Sequence, residues 1–233
     1  MKNLLLIVTF LCVTVASAQD TYLQCGKIVD TKSGKTLSKK TIVVSGNKIM
    51  SIRNGFVSGN KNDKTIDLRR KTVLPGFIDM HVHIESESNP KTYLDRFTLN
   101  EADIAFRSTV NAKKTLLAGF TAVRDLGGTG VNISLRNAID GGLVDGPRIF
   151  TAGKSLATTG GHADPTNGMK KSLMGNPGPR EGVVNSPEDG KKAVRQRYKD
   201  GSDVIKITAT GGVLSVAKNG KNPQFTVEEI KAI

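Results

Sequence analysis

The stretch VLPGFIDMHVHIE, residues 73–85, decides how this chain is read. It sets His81 and His83, two of only three histidines in 233 residues, two positions apart. Side chains along a strand alternate between its faces. Ile78, Met80, Val82 and Ile84 would then form an apolar face suited to packing against helices. Phe77, Asp79, His81 and His83 would line the other. Two residues of strand span about 6.6 Å, so two imidazoles on one face can reach a single metal ion between them. An isolated His-x-His is weak support for a metal site. Here the pair closes the first strand of an α/β series, where barrel folds present their catalytic groups.

Downstream, the pattern alternates between strand and helix. Strands are expected at 73–84, 120–127, 147–153 and 203–212, and helices at about 99–118, 132–143 and 187–200. Ser186 as N-cap, Pro187 at the first helical position and Asp189 closing the box give the third helix a clear start. Another helix is expected from Thr226, with Glu229 three residues on. Alternation of this kind predicts parallel strands joined by crossover helices. Residues 157–186, rich in Gly, Pro and Asn, read as a long loop beyond a strand's C-terminal end, where such folds keep ligand sites.

Upstream, residues 19–72 read as a small β domain of short Ile- and Val-rich runs separated by turn clusters such as TKSGK and SGNK. It is too short for a strong core of its own. Residues 1–18 read as a signal peptide: Lys2, an apolar run Leu4 to Val15, then Ala16-Ser17-Ala18 before Gln19. The run falls short of the roughly 20 apolar residues that a spanning helix needs. The expectation is an exported protein, periplasmic or secreted, with no membrane attachment once the signal is cleaved. Cleavage leaves Cys25 as the single cysteine, which rules out an intrachain disulfide.

The formal charge is +13, from 34 Lys and Arg against 21 Asp and Glu. The basic residues fall in scattered pairs, such as Lys39-Lys40, Lys113-Lys114 and Lys191-Lys192, with no aromatics interleaved. A stacking platform for nucleic acid would need those aromatics. Solvated faces of a basic protein explain the charge, and no nucleic-acid partner is expected.

Two further residues stand out. Lys206 sits in DVIKITATGG between Ile205 and Ile207, in a strand that reads as buried on both sides. Lysine in such a place either snorkels from the strand end or serves as nucleophile, base or modified ligand. His162, in TTGGHADPTNG, is a surface histidine or a site residue of the Gly-rich loop. That loop has neither a GK[ST] nor a GxGxxG pattern, so it is no phosphate cradle.

In order along the chain, VLPGFIDMHVHIE, AGFTAVRDLGG, TTGGHAD and DVIKITATGGV resemble the amidohydrolase superfamily. The similarity is greatest to its exported prolidase-like Xaa-Pro dipeptidases, near the imidazolonepropionase-like branch. The resemblance implies an α/β fold: a (β/α)8 TIM barrel with a small β-sandwich domain built from both chain ends. Residues 73–233 would supply about strands one to four. It implies that His81 and His83 bind the more buried metal, and that Lys206, carboxylated on its amine, bridges two divalent ions, most often Zn2+. His162 matches a histidine that contacts the substrate carbonyl or its tetrahedral form.

The implied function is hydrolysis of a C–N bond, in a dipeptide such as Xaa-Pro or another small-molecule substrate, by metal-activated water. A homo-oligomer is compatible with this reading. The family's further histidines and its late aspartate have no counterpart after His162, so the chain reads as an N-terminal part, inactive by itself. Two alternatives stand beside this reading. One is a cyclic amidase or deacylase of the same superfamily, the other a non-catalytic exported binding module.

Overall fold

The computed structural model describes residues 19–213, 215 and 219–233. The expected signal peptide, residues 1–18, lies outside them. The chain divides into two compact units, one ending at Pro75 and the other running Gly76–Ile233.

The first unit is a four-stranded sheet of β1 (Asp20–Asp30), β2 (Lys35–Ser45), β3 (Lys48–Asn54) and β4 (Lys64–Val73), in the order β3-β2-β1-β4. The β1–β2 and β2–β3 pairs are antiparallel and β4 lies parallel to β1. Gly26 marks a break in the β1–β4 register between Cys25 and Lys27, and a Cβ there would stand 2.1 Å from the Arg69 carbonyl oxygen. Cys25, Ile28 and Ile42 make a small core with Leu23, Leu68 and Val73 at its margin. Burial pushes the Cys25 thiol above its ordinary value, so it acts as a small apolar residue.

In the second unit β5 (Phe77–Val82), β6 (Phe120–Asp125) and β7 (Arg148–Thr151) form a parallel sheet in that order. The crossovers carry α1 (Thr92–Thr98) and α2 (Glu101–Leu117) after β5, and α3 (Val131–Asp140) after β6. After β7 come α4 (Lys171–Met174), α5 (Pro187–Asp200) and α6 (Val227–Ala232). Ile84, Ala112, Val123, Leu135 and Ile149 form the core between this sheet and its helices. Leu156, Val184, Ala193 and Phe225 form a second one under α5. This is the first part of a (β/α)8 barrel, in the order the alternating pattern predicts.

Helix starts follow the expected side-chain chemistry. The Ser186 hydroxyl accepts the Asp189 amide at the head of α5, and Thr226 and Glu229 close a reciprocal capping box on α6. α2 begins at Glu101 because Asn100 is extended and caps it with Asp103. The turn α1 just before it was not expected; Leu99, at ψ 133°, separates the two helices.

Several expectations need correction. The strand expected at 73–84 is two strands, since β4 ends at Val73 and β5 begins at Phe77. Between them lie Leu74, Pro75 and Gly76, and Pro75 has no N–H to donate to a ladder. His83 therefore stands just past the end of β5 rather than within it. The apolar face is only half covered: Val82 and Ile84 join the core, while Ile78 is 64% and Met80 52% exposed.

The strand expected at 203–212 reduces to isolated bridges, Leu156 with Ile207 and Thr210 with Pro223. Thr151 O receives both the Asp203 and the Val204 amide, so no regular ladder with β7 can start there. Nor is that segment buried on both sides, because Ile205 is exposed and Lys206 half-buried.

Candidate metal centre

His81 is on the last turn of the β5 pleat and His83 follows the strand. Their rings lie 5.4 Å apart, centroid to centroid, with planes inclined at 64°. A zinc ion sits about 2.0–2.1 Å from each imidazole nitrogen it binds, so this separation suits one shared ion. The His83 Nδ1 is 2.7 Å from the Gly127 carbonyl oxygen. A carbonyl can only accept, so Nδ1 carries the proton, and the lone pair of the neutral ring is left on Nε2. The His81 amide donates to Asp79 Oδ1 at 3.0 Å, which ties the backbone of one face residue to the side chain of the last.

Lys206 belongs to the same group. Its peptide carbonyl accepts the Leu156 amide at 2.7 Å, and Thr208 donates back to Leu156 O. That short bridge fixes the backbone on both sides of the lysine. Burial lowers the His81 pKa from its ordinary value, and the positive charges of Lys206 and Arg124 and the His83 ring lower it further, against Asp79. The Lys206 ammonium is disfavoured in turn, by burial first and by Arg124 second. Both shifts favour the neutral forms that can ligate a metal or react at nitrogen.

Arg124 was missed by the sequence reading. Its place in β6 puts it on the inner face, and its Nε donates to Met80 O at 2.8 Å. Alternation along AVRDLGG carried the signal, since Val123 and Asp125 are buried on the helix side and Arg124 is not.

The two glycines of that motif are required by their neighbours. A Cβ on Gly127, at φ +149°, would stand 2.2 Å from Ser155 Oγ and 3.5 Å from His83 Cε1. A Cβ on Gly128 would meet the Glu85 carboxylate at 2.5 Å. Glu85 in turn accepts the Thr129 and Asn132 amides at 2.7 Å each. It thereby supplies the carboxylate that α3, starting from Gly130 with no acid in its first turn, lacks.

His162 makes its own contacts on the Gly-rich loop. Its amide donates to Gln224 Oε1 at 2.8 Å, and its ring packs against Gly212, where a Cβ would lie 2.9 Å from Nδ1. The structure pairs the His81 and His83 rings, puts the Lys206 charge within electrostatic reach of His81, and sets His162 against Gly212. Among the described residues, no three His, Cys, Asp or Glu side chains cluster as a metal site. The third donor of this group is a lysine, which can become an oxygen ligand only by modification.

The parallel α/β sheet thus carries two imidazoles at the end of its first strand, with a half-buried lysine on a later segment. The amidohydrolase family model matches residues 72–233, and the chain belongs to that family. A solved Xaa-Pro dipeptidase, with methionine bound in its active site, is 51% identical with a TM-score of 0.86, over 92% of this chain and 53% of that one. A prolidase complexed with N-methylphosphonate-L-proline is 36% identical with a TM-score of 0.79, over 92% of this chain and 52% of that one. The ochratoxinase of Aspergillus niger is 30% identical over 177 residues, which are 71% of this chain and 36% of that protein. The chain therefore spans about a third of the ochratoxinase and about half of the solved relatives.

Proposed function

We propose that this chain belongs to a metal-dependent hydrolase of C–N bonds, of the Xaa-Pro dipeptidase type. The observation that carries the reading is the His81–His83 pair, 5.4 Å between ring centroids. The 51% identity to a Xaa-Pro dipeptidase supports the substrate class.

In this reading His81 and His83 would hold one divalent ion, and Lys206, once carboxylated, would offer its carbamate oxygens as further ligands. The lysine acquires them when its neutral amine adds to CO2, forming the N–C bond of a carbamate and releasing one proton. Divalent metal, when bound, polarises an amide carbonyl and makes water more acidic. The protein's own part is to hold His83 by Nδ1 so that Nε2 is presented, to keep His81 unprotonated, and to keep Lys206 able to react. His162 is assigned to the substrate carbonyl, from the Gly-rich loop where its amide is held by Gln224 and its ring rests on Gly212. Two ions need more donors than these three residues supply, so the 233-residue chain by itself is expected to be inactive. Residues 1–18 are proposed to direct export.

A cyclic amidase or deacylase on the same scaffold is the second reading, favoured by the 30% identity to a relative named for a different substrate. The test is hydrolysis of a panel of Xaa-Pro dipeptides, N-acyl amino acids and cyclic amides by the full-length enzyme loaded with zinc. Turnover concentrated on Xaa-Pro supports the dipeptidase reading. Turnover confined to cyclic amides or acyl substrates replaces it with the second, and no hydrolysis of any C–N bond refutes both.

A further inference from the structure

We propose that Asp125 is the positioning residue for His83, acting from behind the sheet through two backbone amides. The proposal rests on the metal-site reading only for its purpose, since the geometry stands by itself. Asp125 is the last residue of β6 and is 0% exposed. Its Oδ2 accepts the amide of Ile84, the residue that follows His83, at 2.8 Å. Its Oδ1 accepts the amide of Gly127 at 3.1 Å, and Gly127 is the residue whose carbonyl holds His83 Nδ1 at 2.7 Å. One carboxylate therefore fixes both the backbone that carries the imidazole and the acceptor that sets its tautomer.

The carboxylate is itself held in place. Asn132 Nδ2 donates to Oδ1 at 2.8 Å, and the Asn132 amide is anchored on Glu85 at 2.7 Å. The loop closes on the strand a second time where the Leu126 amide donates to Val82 O at 3.0 Å. Groups that orient a ligating histidine in this way typically change metal affinity by about 10–100-fold when removed. An aspartate is suited to this place because both amides are donors. Asparagine would turn an N–H towards one of them, and alanine would leave both unpaired inside the protein.

The test is nitrogen-15 NMR of His83 in metal-free wild type, Asp125→Asn and Asp125→Ala, with zinc titration of each. Wild type is expected to show a single Nδ1–H tautomer and scalar couplings across the hydrogen bonds from the Ile84 and Gly127 amides to the Asp125 carboxyl carbon. Each folded variant is expected to show mixed tautomers and zinc affinity lower by about 10–100-fold. A folded variant that keeps the single Nδ1–H tautomer overturns the proposal, as does wild type without those couplings. If neither variant folds, the wild-type couplings and tautomer decide it alone. If wild type shows them but binds no zinc, the positioning role stands and the metal reading fails.

Discussion

His83 donates from Nδ1 to the carbonyl oxygen of Gly127 at 2.7 Å, a contact that crosses from the end of β5 to the turn after β6. It gives the ring one tautomer and one direction before any ligand arrives. Restricting the ring in advance lowers the ordering cost of binding, which is how a two-histidine site gains affinity from its surroundings.

Gly127→Ala is the substitution that should break this contact most simply. The new methyl would stand 2.2 Å from Ser155 Oγ, at a backbone angle of +149° that side chains rarely adopt. Backbone strain of that kind costs about 1–3 kcal/mol. Thermal or urea unfolding should show a loss in that range, and zinc affinity should fall with it. Unchanged stability together with unchanged affinity would mean that the turn does not constrain His83.

Metal binding should tolerate mild acid. Zinc competes with protons for the neutral imidazole, so affinity is level above the histidine pKa and falls roughly tenfold per pH unit below it. The His81 value is lowered from 6.5 by burial and by the nearby positive charges, so its part of the fall comes below that pH. The check is zinc affinity against a chromophoric chelator from pH 5 to 8, in wild type and His81→Ala. A His81-dependent loss that begins at or above pH 6.5 would contradict the shift.

Lys206 separates a structural lysine from a ligating one. Its ammonium is disfavoured by burial and by Arg124, which raises the neutral fraction able to add CO2. In the full-length enzyme Lys206→Ala should lose binuclear metal and nearly all activity. Lys206→Glu should keep some of each, since it restores an anionic oxygen on a shorter stem. Lys206→Arg should restore neither, because arginine stays charged. Short-chain carboxylic acids should partly rescue the alanine variant. Wild-type metal content and turnover in Lys206→Ala without rescue would make the lysine structural.

Much of this was legible in the sequence, and the gaps have physical causes. His81 and His83 could be paired because two-residue alternation is a local signal, whereas Lys206 was joined to them only by the family resemblance. The helix starts at Ser186 and Thr226 were legible for the same reason, since a cap is written within four residues. What stayed hidden depends on contacts made across the sheet. Asp125 reads as a plain strand-end acid until Ile84, 41 positions earlier in the chain, is seen to donate to it. Glu85 gave no sign that it caps α3, since Asn132 lies 47 residues away. The segment 203–212 has the composition of a strand, but its pairing was decided by Thr151 and Leu156, which offer it only scattered bonds.

The central claim is that His81 and His83 share a divalent ion, and elemental analysis tests it most directly. The full-length protein, saturated with zinc and dialysed, should be measured beside His81→Ala, His83→Ala and the double variant. The account predicts that each single variant loses at least one zinc per chain relative to wild type, with nearly all hydrolysis. It predicts that the double variant recovers neither at pH 8. A folded double variant that keeps the wild-type zinc content would contradict it.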